Sequence, residues 1–230
     1  SYREYFDRNA PLVREKKTML DPAPRMVLDP AFGFASIGRT AKDAAIVAEL
    51  YEHSVEVFLR AEGLGGWNAL PERDLFEVEY WDLEQAKLRK SGSPPVFTGE
   101  VALVTGAASG IGKACVGSFL KRGAAVIALD RNPAVQSVYR RADYLGIACD
   151  LTDANAVRGA IERGARQFGG IDMLVLNAGI FPPSQSIQDI SAETWRSSMA
   201  INLDASFLLM QRCHPLLKLA PRGGRIAVIG

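Results

Sequence analysis

The feature that most constrains the fold is a glycine-rich turn in the middle of the chain. Gly106, Gly110 and Gly112 closely follow the apolar run 101–104, and a segment with helical spacing continues from them to Gly123. Glycines let the backbone turn tightly and approach a pyrophosphate, and the free amides that begin the next helix attract its charge. The order of strand, turn and helix therefore predicts a cradle for the diphosphate of a dinucleotide.

Two other phosphate-binding motifs do not fit this spacing. A P-loop needs a glycine at the position of Ala107 and a hydroxyl side chain after its lysine, but Ala114 follows Lys113. A kinase or an ATPase is therefore disfavoured. The Gly-x-Gly-x-x-Gly fingerprint also fails, because Cys115 stands where its third glycine belongs. What remains is the pattern Thr-Gly-x-x-x-Gly-x-Gly over residues 105–112.

Around and beyond this turn, short apolar runs alternate with helical segments. The apolar runs are 101–104, 126–129, 145–148, 173–176 and 226–229, and the helical segments lie near 110–122, 153–168 and 192–219. Strands separated by helices form βαβ units with right-handed crossovers and a parallel sheet covered on both faces. We predict the α/β class: a Rossmann-type doubly wound parallel sheet, incomplete at about five strands, whose first strand lies near the centre.

The earlier part of the chain has a different pattern and is mostly helical. Residues 25–38 predict two short strands around a turn. A helix begins at Thr40, and its apolar side chains recur on one face: Ile46, Val47, Leu50, Tyr51, Val55, Phe58 and Ala61. A second helix is predicted from Pro71 or Asp74 to Leu88.

A break in composition separates the two parts. Pro94 and Pro95 have no amide hydrogen to donate, and the serines and glycines around them loosen the backbone. We therefore predict a mostly helical domain at 1–90, a linker at 91–99 and a nucleotide-binding domain at 100–230.

Composition and charge exclude several classes of protein. The net charge of +1 gives no electrostatic argument for nucleic acid or a membrane surface as a partner. No run approaches the roughly 18 apolar residues of a membrane span. Three cysteines are too few and too scattered for a disulfide scaffold, and the two histidines, His53 and His214, lie in different parts of the chain. We expect a cytoplasmic protein with no metal site in this chain.

The motif at 105–112 resembles the cofactor signature of the short-chain dehydrogenase/reductase family. Three further matches follow in order: Asp130 ends the second strand, Asp150-Leu151 ends the third, and Asn177-Ala178-Gly179 ends the fourth like the family's Asn-Ala-Gly motif. Asn202 lies on the long helix, where the family keeps its catalytic-site asparagine. The resemblance covers about 130 residues and implies a nicotinamide cofactor and a small-molecule substrate.

The resemblance assigns the cofactor to the ends of four strands and the turns that follow them: Thr105, Gly106, Ser109, Gly110, Ile111, Gly112, Asp130, Arg131, Asp150, Leu151, Asn177, Ala178 and Gly179. A carboxylate at the end of the second strand accepts hydrogen bonds from the adenosine ribose and repels a 2′-phosphate, so Asp130 favours NAD over NADP. Two alternatives stay open: Asp130 only begins a turn, or Arg131 meets a phosphate.

For two other residues, a purely structural role is an alternative to the functional one. Asp150 resembles the family residue that receives the adenine amino group, but it also fits a cap of the helix that begins near Thr152. The resemblance makes Asn202 a catalytic-site residue that holds water and anchors the catalytic lysine; alternatively, it only kinks the helix. Leu176 stands where the family usually has another asparagine, which puts one side-chain contact of that turn in doubt.

The proton donor for hydride transfer does not occur in these 230 residues. The family supplies it as a tyrosine with a lysine four residues later. None of the eight lysines here has a tyrosine four positions before it. The resemblance places the catalytic serine, tyrosine and lysine after Gly230, so the chain is expected to be a fragment that alone binds cofactor poorly and is inactive.

The first part resembles the end of a class II, zinc-dependent aldolase domain. The stretches 33–44, 51–54 and 75–88 carry this similarity, which extends to fusions of the bifunctional rhamnulose-1-phosphate aldolase/lactaldehyde dehydrogenase type. The parent is then expected to act in rhamnose metabolism as a homo-oligomer. It would move hydride between NAD and a small hydroxy-aldehyde or a sugar-derived alcohol or carbonyl. The alternatives are a non-catalytic dinucleotide-binding or scaffolding domain without the Tyr-Lys pair, and an aldolase fragment with a degenerate appendage.

Overall fold

The computed structural model describes residues 1–31, 33–82, 85 and 92–230 of the chain. Two units can be distinguished within it: Ser1–Gly38 with Asp43–Pro94, and Arg39–Lys42 with Pro95–Gly230. The boundary after Pro94 falls inside the segment that the sequence predicts as a linker.

The first unit is mostly helical, as the sequence predicts. Its elements are α1 (Tyr2–Asn9), a 3-10 turn (Ala10–Leu12), β1 (Met26–Asp29), β2 (Gly33–Ser36), α2 (Ala41–Gly63) and α3 (Glu72–Glu79). Strands β1 and β2 pair antiparallel, which confirms the two short strands predicted within 25–38. The helix predicted after Thr40 is α2, and none of its 23 residues is fully buried.

Helix α1 was not predicted from the sequence. Ser1 accepts a hydrogen bond from the amide of Glu4 at 3.4 Å, and Glu4 completes a capping box. The helix packs through aromatic rings, of which those of Tyr5 and Phe76 lie 5.6 Å apart. Phe76 and Tyr80 are each 1% exposed and so form the centre of this unit. The Ser-x-x-Glu pattern of the first four residues is the signal that would have found α1.

Helix α3 is shorter than predicted. It ends at Glu79, because the backbone of Tyr80 leaves helical geometry at φ −102° and ψ 25°. The Tyr80 hydroxyl accepts a hydrogen bond from the amide of Leu20 at 3.3 Å, so a contact with a distant segment holds this residue in the core. The remainder of the predicted helix, through Leu88, falls largely outside the described residues.

The second unit is a five-stranded parallel sheet with helices between its strands. In chain order its elements are β3 (Val101–Thr105), α4 (Gly110–Lys121), β4 (Ala125–Asp130), a 3-10 turn (Pro133–Ser137), β5 (Tyr144–Ala148), α5 (Ala154–Phe168), β6 (Met173–Leu176), α6 (Ala192–Met199), a π-helical turn (Ala200–Asp204), α7 (Ala205–Leu217) and β7 (Arg225–Val228). The strand order is β5-β4-β3-β6-β7. This order confirms the Rossmann-type doubly wound fold with the first strand of the sheet at its centre.

Alternate residues of the strands build two apolar layers. Leu103, Ile127 and Leu174 belong to the layer that includes α5 and α7, while Val104 and Val126 belong to the layer that includes α4. All five side chains are 0% exposed, as expected for strands that are covered on both faces. This core holds the carboxyl ends of β3, β4 and β6 in fixed register.

The helix predicted at 192–219 is interrupted by a π-helical turn. This turn, Ala200–Asp204, separates α6 from α7. The amide of Ala205 donates to the carbonyl of Ala200, five residues back, which is the hydrogen bond of a π-helix. Such bulges occur frequently at functional sites, and Asn202 lies within this one.

Candidate functional site

The polar residues predicted as a site converge at the carboxyl ends of neighbouring strands. Thr105 ends β3, Asp130 ends β4, and the two strands pair in parallel. Asn177 follows β6, which pairs with the other side of β3. Since the carboxyl ends of parallel strands share one edge of a sheet, these residues lie together. We call the group formed by 105–112, Asp130 and 177–179 the carboxyl-edge site.

The glycine-rich turn needs glycine for two different reasons. Gly106 and Gly110 adopt φ values of +64° and +52°, in the left-handed region that other residues rarely enter. At Gly112 the reason is space, because a Cβ there would lie 2.1 Å from the carbonyl oxygen of Gly106. Helix α4 can therefore begin close against the turn only with glycine at this position.

The start of α4 presents a row of backbone amides. Ser109 is the N-cap residue, with an extended backbone and no capping hydrogen bond from its side chain. Within the described residues, the amides from Ser109 to Gly112 donate to no protein acceptor, whereas the amide of Lys113 donates to the carbonyl of Ser109 at 3.0 Å. Ser109, Gly110 and Ile111 are exposed. Unpaired amides at a helix start, together with the helix dipole, provide the geometry that binds an anionic diphosphate.

The hydroxyl of Thr105 joins β3 to the turn after β6. Thr105 is 1% exposed, and its Oγ1 donates to the carbonyl of Val175 at 3.3 Å. The same oxygen accepts from the amides of Asn177 at 2.9 Å and Ala178 at 3.0 Å. The one donor and two acceptor positions of the hydroxyl are then all used. The side chain of Thr105 therefore supports the shape of the site.

The side chain of Asn177 holds the glycine-rich turn. Its Nδ2 donates to the carbonyl oxygens of Thr105 at 3.0 Å and Gly106 at 3.4 Å. A Cβ added at Gly106 would lie 2.8 Å from this nitrogen, and one added at Gly112 would lie 2.6 Å from it. The asparagine and the two glycines thus form one close-packed unit, so the shape of the turn depends on a residue about 70 positions later in the chain.

Asp130 connects its own turn to the glycine-rich turn. Its Oδ1 accepts from the amide of Asn132 at 2.8 Å, which is the local turn that the sequence left open as an alternative. Its Oδ2 accepts from the amide of Ala108 at 2.9 Å, across 22 positions of sequence. Because a carboxylate has about four acceptor positions, Asp130 keeps capacity for further donors at this edge.

Asp150 and Leu151 follow β5 at the same edge of the sheet, but their side chains make different kinds of contact. Asp150 accepts from the hydroxyl and the amide of Thr152 at 2.7 Å and 2.9 Å, and these hydrogen bonds lower the pKa of Asp150. The cap of α5 is Asp153, so the cap considered as the alternative for Asp150 belongs to another residue. Leu151 is 7% exposed within the apolar core, so that only its main chain can reach a ligand. Arg131 is exposed.

Asn202 binds the segment that leaves the site after β6. Its Oδ1 accepts from the amide of Ile180 at 2.9 Å, and its Nδ2 donates to the carbonyl of the same residue at 2.9 Å. A Cβ added at Gly179 would lie 3.3 Å from Oδ1. The π-helical turn therefore fixes the course of the chain just beyond the Asn-Ala-Gly motif. This pairing was not predicted, because no local signal links positions 22 residues apart.

A metal ion, a disulfide and a membrane span have no support among the described residues. No group of three or more His, Cys, Asp or Glu side chains in them is arranged to hold a metal. Cys115, Cys149 and Cys213 are free thiols, and burial raises the pKa of Cys213 to about 12. In the described ranges, no helix combines the length and the apolar character needed to cross a membrane.

The fold and its carboxyl edge define an α/β domain of the Rossmann type. A family model described as "short chain dehydrogenase" matches residues 100–230, which is more than half of the chain. The chain therefore belongs to the short-chain dehydrogenase family. A second family model, described as "Aldolase class II, second domain", matches residues 1–88.

Individual relatives agree with these matches. The whole chain aligns at 30% identity with an uncharacterized oxidoreductase of Bacillus subtilis, covering 34% of that protein. It is 41% identical over 119 residues to the D-threitol dehydrogenase of Mycolicibacterium smegmatis, which covers 49% of this chain and 45% of the relative. A solved 3-ketoacyl-(acyl-carrier-protein) reductase from Brucella melitensis, complexed with NADH, matches with a TM-score of 0.51 and 32% identity over 53% of this chain and 51% of that one. The chain thus spans about a third to a half of the length of these relatives.

Proposed function

We propose that the second unit binds NAD(H) at the carboxyl-edge site. The observation that carries this proposal is the row of unpaired, mostly exposed amides from Ser109 to Gly112 at the start of α4. Thr105 and Asn177 hold these amides in place through hydrogen bonds to the turn and to its neighbour after β6. The similar Brucella melitensis structure was solved with NADH, which supports a nicotinamide dinucleotide as the ligand.

Within this proposal, Asp130 selects NAD over NADP. Its carboxylate lies at the end of β4 and is held by two amides, so that it can accept hydrogen bonds from ribose hydroxyls and repel a 2′-phosphate. Asp150 is proposed to receive the adenine amino group, and the main chain of Leu151 is proposed to lie beside it. The turn 177–179 is proposed to pass under the ribose next to the nicotinamide.

We further propose that the protein transfers hydride between NAD and a small hydroxy-aldehyde or a sugar-derived alcohol or carbonyl. Bound NAD supplies the hydride acceptor, and Asn202 is the proposed catalytic-site residue of this chain. The aldolase match at 1–88 supports such a substrate, because aldol cleavage releases small carbonyl compounds. The D-threitol dehydrogenase is named for a small polyol. A role in rhamnose metabolism, a cytoplasmic location and a homo-oligomeric parent belong to the same proposal.

Calorimetric titration of the full-length protein with NADH and with NADPH tests the cofactor assignment. We expect NADH to bind at least about tenfold more tightly, a difference of ~1.4 kcal/mol, because the Asp130 carboxylate repels the 2′-phosphate. A full-length protein that is folded by circular dichroism but binds neither dinucleotide contradicts the proposal.

Turnover distinguishes a dehydrogenase from a non-catalytic dinucleotide-binding domain. The full-length protein is incubated with NAD and a panel of small polyols and hydroxy-aldehydes, and NADH formation is followed by absorbance. Reduction of NAD with at least one member supports hydride transfer. Tight NADH binding without turnover on any member supports the non-catalytic alternative.

A further inference from the structure

The carboxylate of Asp130 is oriented by a chain of contacts beyond the residues that touch it. One of its two donors is the amide of Asn132, at 2.8 Å from Oδ1. Asn132 in turn caps the 3-10 turn Pro133–Ser137. Its side-chain oxygen accepts from the amide of Ala134 at 3.0 Å, and its carbonyl accepts from the amide of Val135 at 3.1 Å. The position of the Asn132 amide therefore depends on where this 3-10 turn sits.

Val135 anchors the 3-10 turn in the core. Its side chain is 0% exposed and packs in one cluster with Val126 of β4. Its carbonyl oxygen accepts a hydrogen bond from the hydroxyl of Tyr144. A Cβ added at Gly146 would lie only 2.1 Å from the same oxygen. Strand β5 thus holds the turn both by a hydrogen bond and by the close approach that glycine permits.

The surroundings of Tyr144 keep its hydroxyl in the protonated form that donates this hydrogen bond. It is 8% exposed at the first position of β5, and the ring of Tyr139 packs against it at a tilt of 66° with centroids 5.3 Å apart. Burial raises the pKa of Tyr144 to about 12, with the nearby Tyr139 and Asp130 adding to the rise. The hydroxyl is therefore protonated, and able to donate, throughout the neutral range.

We propose that Tyr144 is a positioning residue for the Asp130 carboxylate and thereby for the choice between NAD and NADP. The connection runs from the Tyr144 hydroxyl to the Val135 carbonyl, along the 3-10 turn to the Asn132 amide, and from there to Asp130. Without the hydroxyl, the buried carbonyl of Val135 loses its donor, and the turn gains from moving toward water. The proposal rests on the proposed function, because this choice exists only if the site binds a dinucleotide.

The first test compares Tyr144→Phe with Tyr139→Phe by calorimetric titration with NADH and NADPH. The two variants remove one hydroxyl each from the same ring pair, but Tyr139 donates no hydrogen bond within the described residues. We expect Tyr144→Phe to narrow the preference for NADH about fivefold, which corresponds to ~1 kcal/mol, and Tyr139→Phe to leave it unchanged. An unchanged preference in Tyr144→Phe overturns the proposal.

The route through Asp130 is tested by combining substitutions. Asp130→Ala removes the carboxylate on which Tyr144 is proposed to act. Adding Tyr144→Phe to Asp130→Ala is therefore expected to leave the NADH-to-NADPH ratio as it is in the single Asp130→Ala variant. A further fivefold change in that ratio means that Tyr144 acts independently of Asp130, which overturns the proposal.

Amide hydrogen exchange tests the same connection without any cofactor. In Tyr144→Phe, the amides of Asn132, Val135 and Ala108 are expected to exchange several-fold faster than in Tyr139→Phe, while those of α5 do not change. Unchanged exchange at Asn132 and Ala108 overturns the positioning role whether or not a dinucleotide binds. If exchange responds as expected but the unmodified full-length protein binds neither dinucleotide, the proposed function fails, while the connection from Tyr144 to Asp130 is still supported.

Discussion

The two edges of the parallel sheet differ in how far their polar groups are paired within the protein. At the carboxyl edge, the amides from Ser109 to Gly112 are unpaired within the described residues. At the opposite, amino edge, Glu100 is only 5% exposed, and its Oε1 is paired with Arg222 at 2.9 Å and also with Arg225, whereas its buried Oε2 has no hydrogen-bond partner within the described residues. Asp172, at the same edge, accepts from the amide of Val101 at 2.7 Å. One edge offers donors to a ligand, and the other uses its charges within the protein.

On the proposed function, this difference separates an edge that binds the cofactor from an edge that stabilises the sheet. Glu100 directly precedes β3, Asp172 directly precedes β6 and Arg225 begins β7, so the amino-edge contacts join three strands. Buried charges persist only when they are paired, because an unpaired charge in the core is costly. Exposed amides at a helix start are instead solvated until an anion replaces the water. Substitutions at the two edges should therefore separate cofactor affinity from stability.

The largest effect is expected at the carboxyl edge from Gly112→Ala. The new Cβ would overlap the Gly106 carbonyl and displace the amides of the turn, so NADH affinity should fall more than about tenfold, by at least ~1.4 kcal/mol. Overpacking should also cost about 1–3 kcal/mol of unfolding free energy. Calorimetric titration and urea denaturation measure the two quantities.

Gly159→Ala is the matched control for Gly112→Ala. Gly159 lies in α5, and a Cβ there meets nothing within 4 Å. This variant should bind NADH as the unmodified chain does and gain up to about 1 kcal/mol from helix propensity. If Gly112→Ala matches it in affinity, the carboxyl edge is not the binding site.

An intermediate effect, on stability alone, is expected at the amino edge from Glu100→Gln. The substitution keeps the shape of the side chain but removes the buried charge that pairs with Arg222 and Arg225, so the unfolding free energy should fall by about 1–3 kcal/mol. NADH affinity should stay within about twofold. Glu56→Gln, which breaks the exposed pair with Arg60, should change stability by less than about 0.5 kcal/mol. Equal losses in the two variants would show that burial of Glu100 is unimportant.

The smallest effect is expected in the pH dependence of stability from Asp172→Asn. Burial raises the pKa of Asp172 above its ordinary value, with an amide hydrogen bond from Val101 opposing the rise and Glu100 adding to it. Above ~3.9, the ordinary value for Asp, the folded state then holds its proton more tightly than the unfolded state, so stability falls as pH rises toward the raised pKa. Asp172→Asn should remove this fall in stability, which urea denaturation at a series of pH values between ~3.9 and the raised pKa would measure. Asp204→Asn, at an exposed residue, is the control. If the pH dependence of stability changes in Asp204→Asn but not in Asp172→Asn, it does not come from Asp172.

Most of the second unit could be predicted because its signals are local. Apolar runs and glycine spacing extend over a few residues, and each of the five predicted strands overlaps one of β3 to β7. The capping box of Ser1 and Glu4 is equally local, and it was overlooked. The end of α3 was not predictable in this way, because Tyr80 leaves the helix where its hydroxyl meets the distant amide of Leu20.

The same distinction between local signals and contacts of distant residues applies to the candidate site. The resemblance to the short-chain dehydrogenase family is what assigned Thr105, Asp130 and Asn177 to this site. The contacts of these residues were not predicted, since the Thr105 hydroxyl reaches Asn177 across 72 positions. The roles of Tyr144 and Glu100 had no motif at all, because neither the hydrogen bond to Val135 nor the ion pair with Arg225 leaves a pattern in neighbouring residues.

By itself, the sequence determined the alternation of strands and helices and the place of the glycine-rich turn, because side-chain periodicity and backbone freedom act over short stretches of chain. Only the tertiary structure decided that Asp130 reaches the amide of Ala108 and that Asn177 fills the space left by Gly106 and Gly112. These contacts depend on the register of β3 against β4 and β6, which is set by the packing of the whole sheet rather than by any one segment.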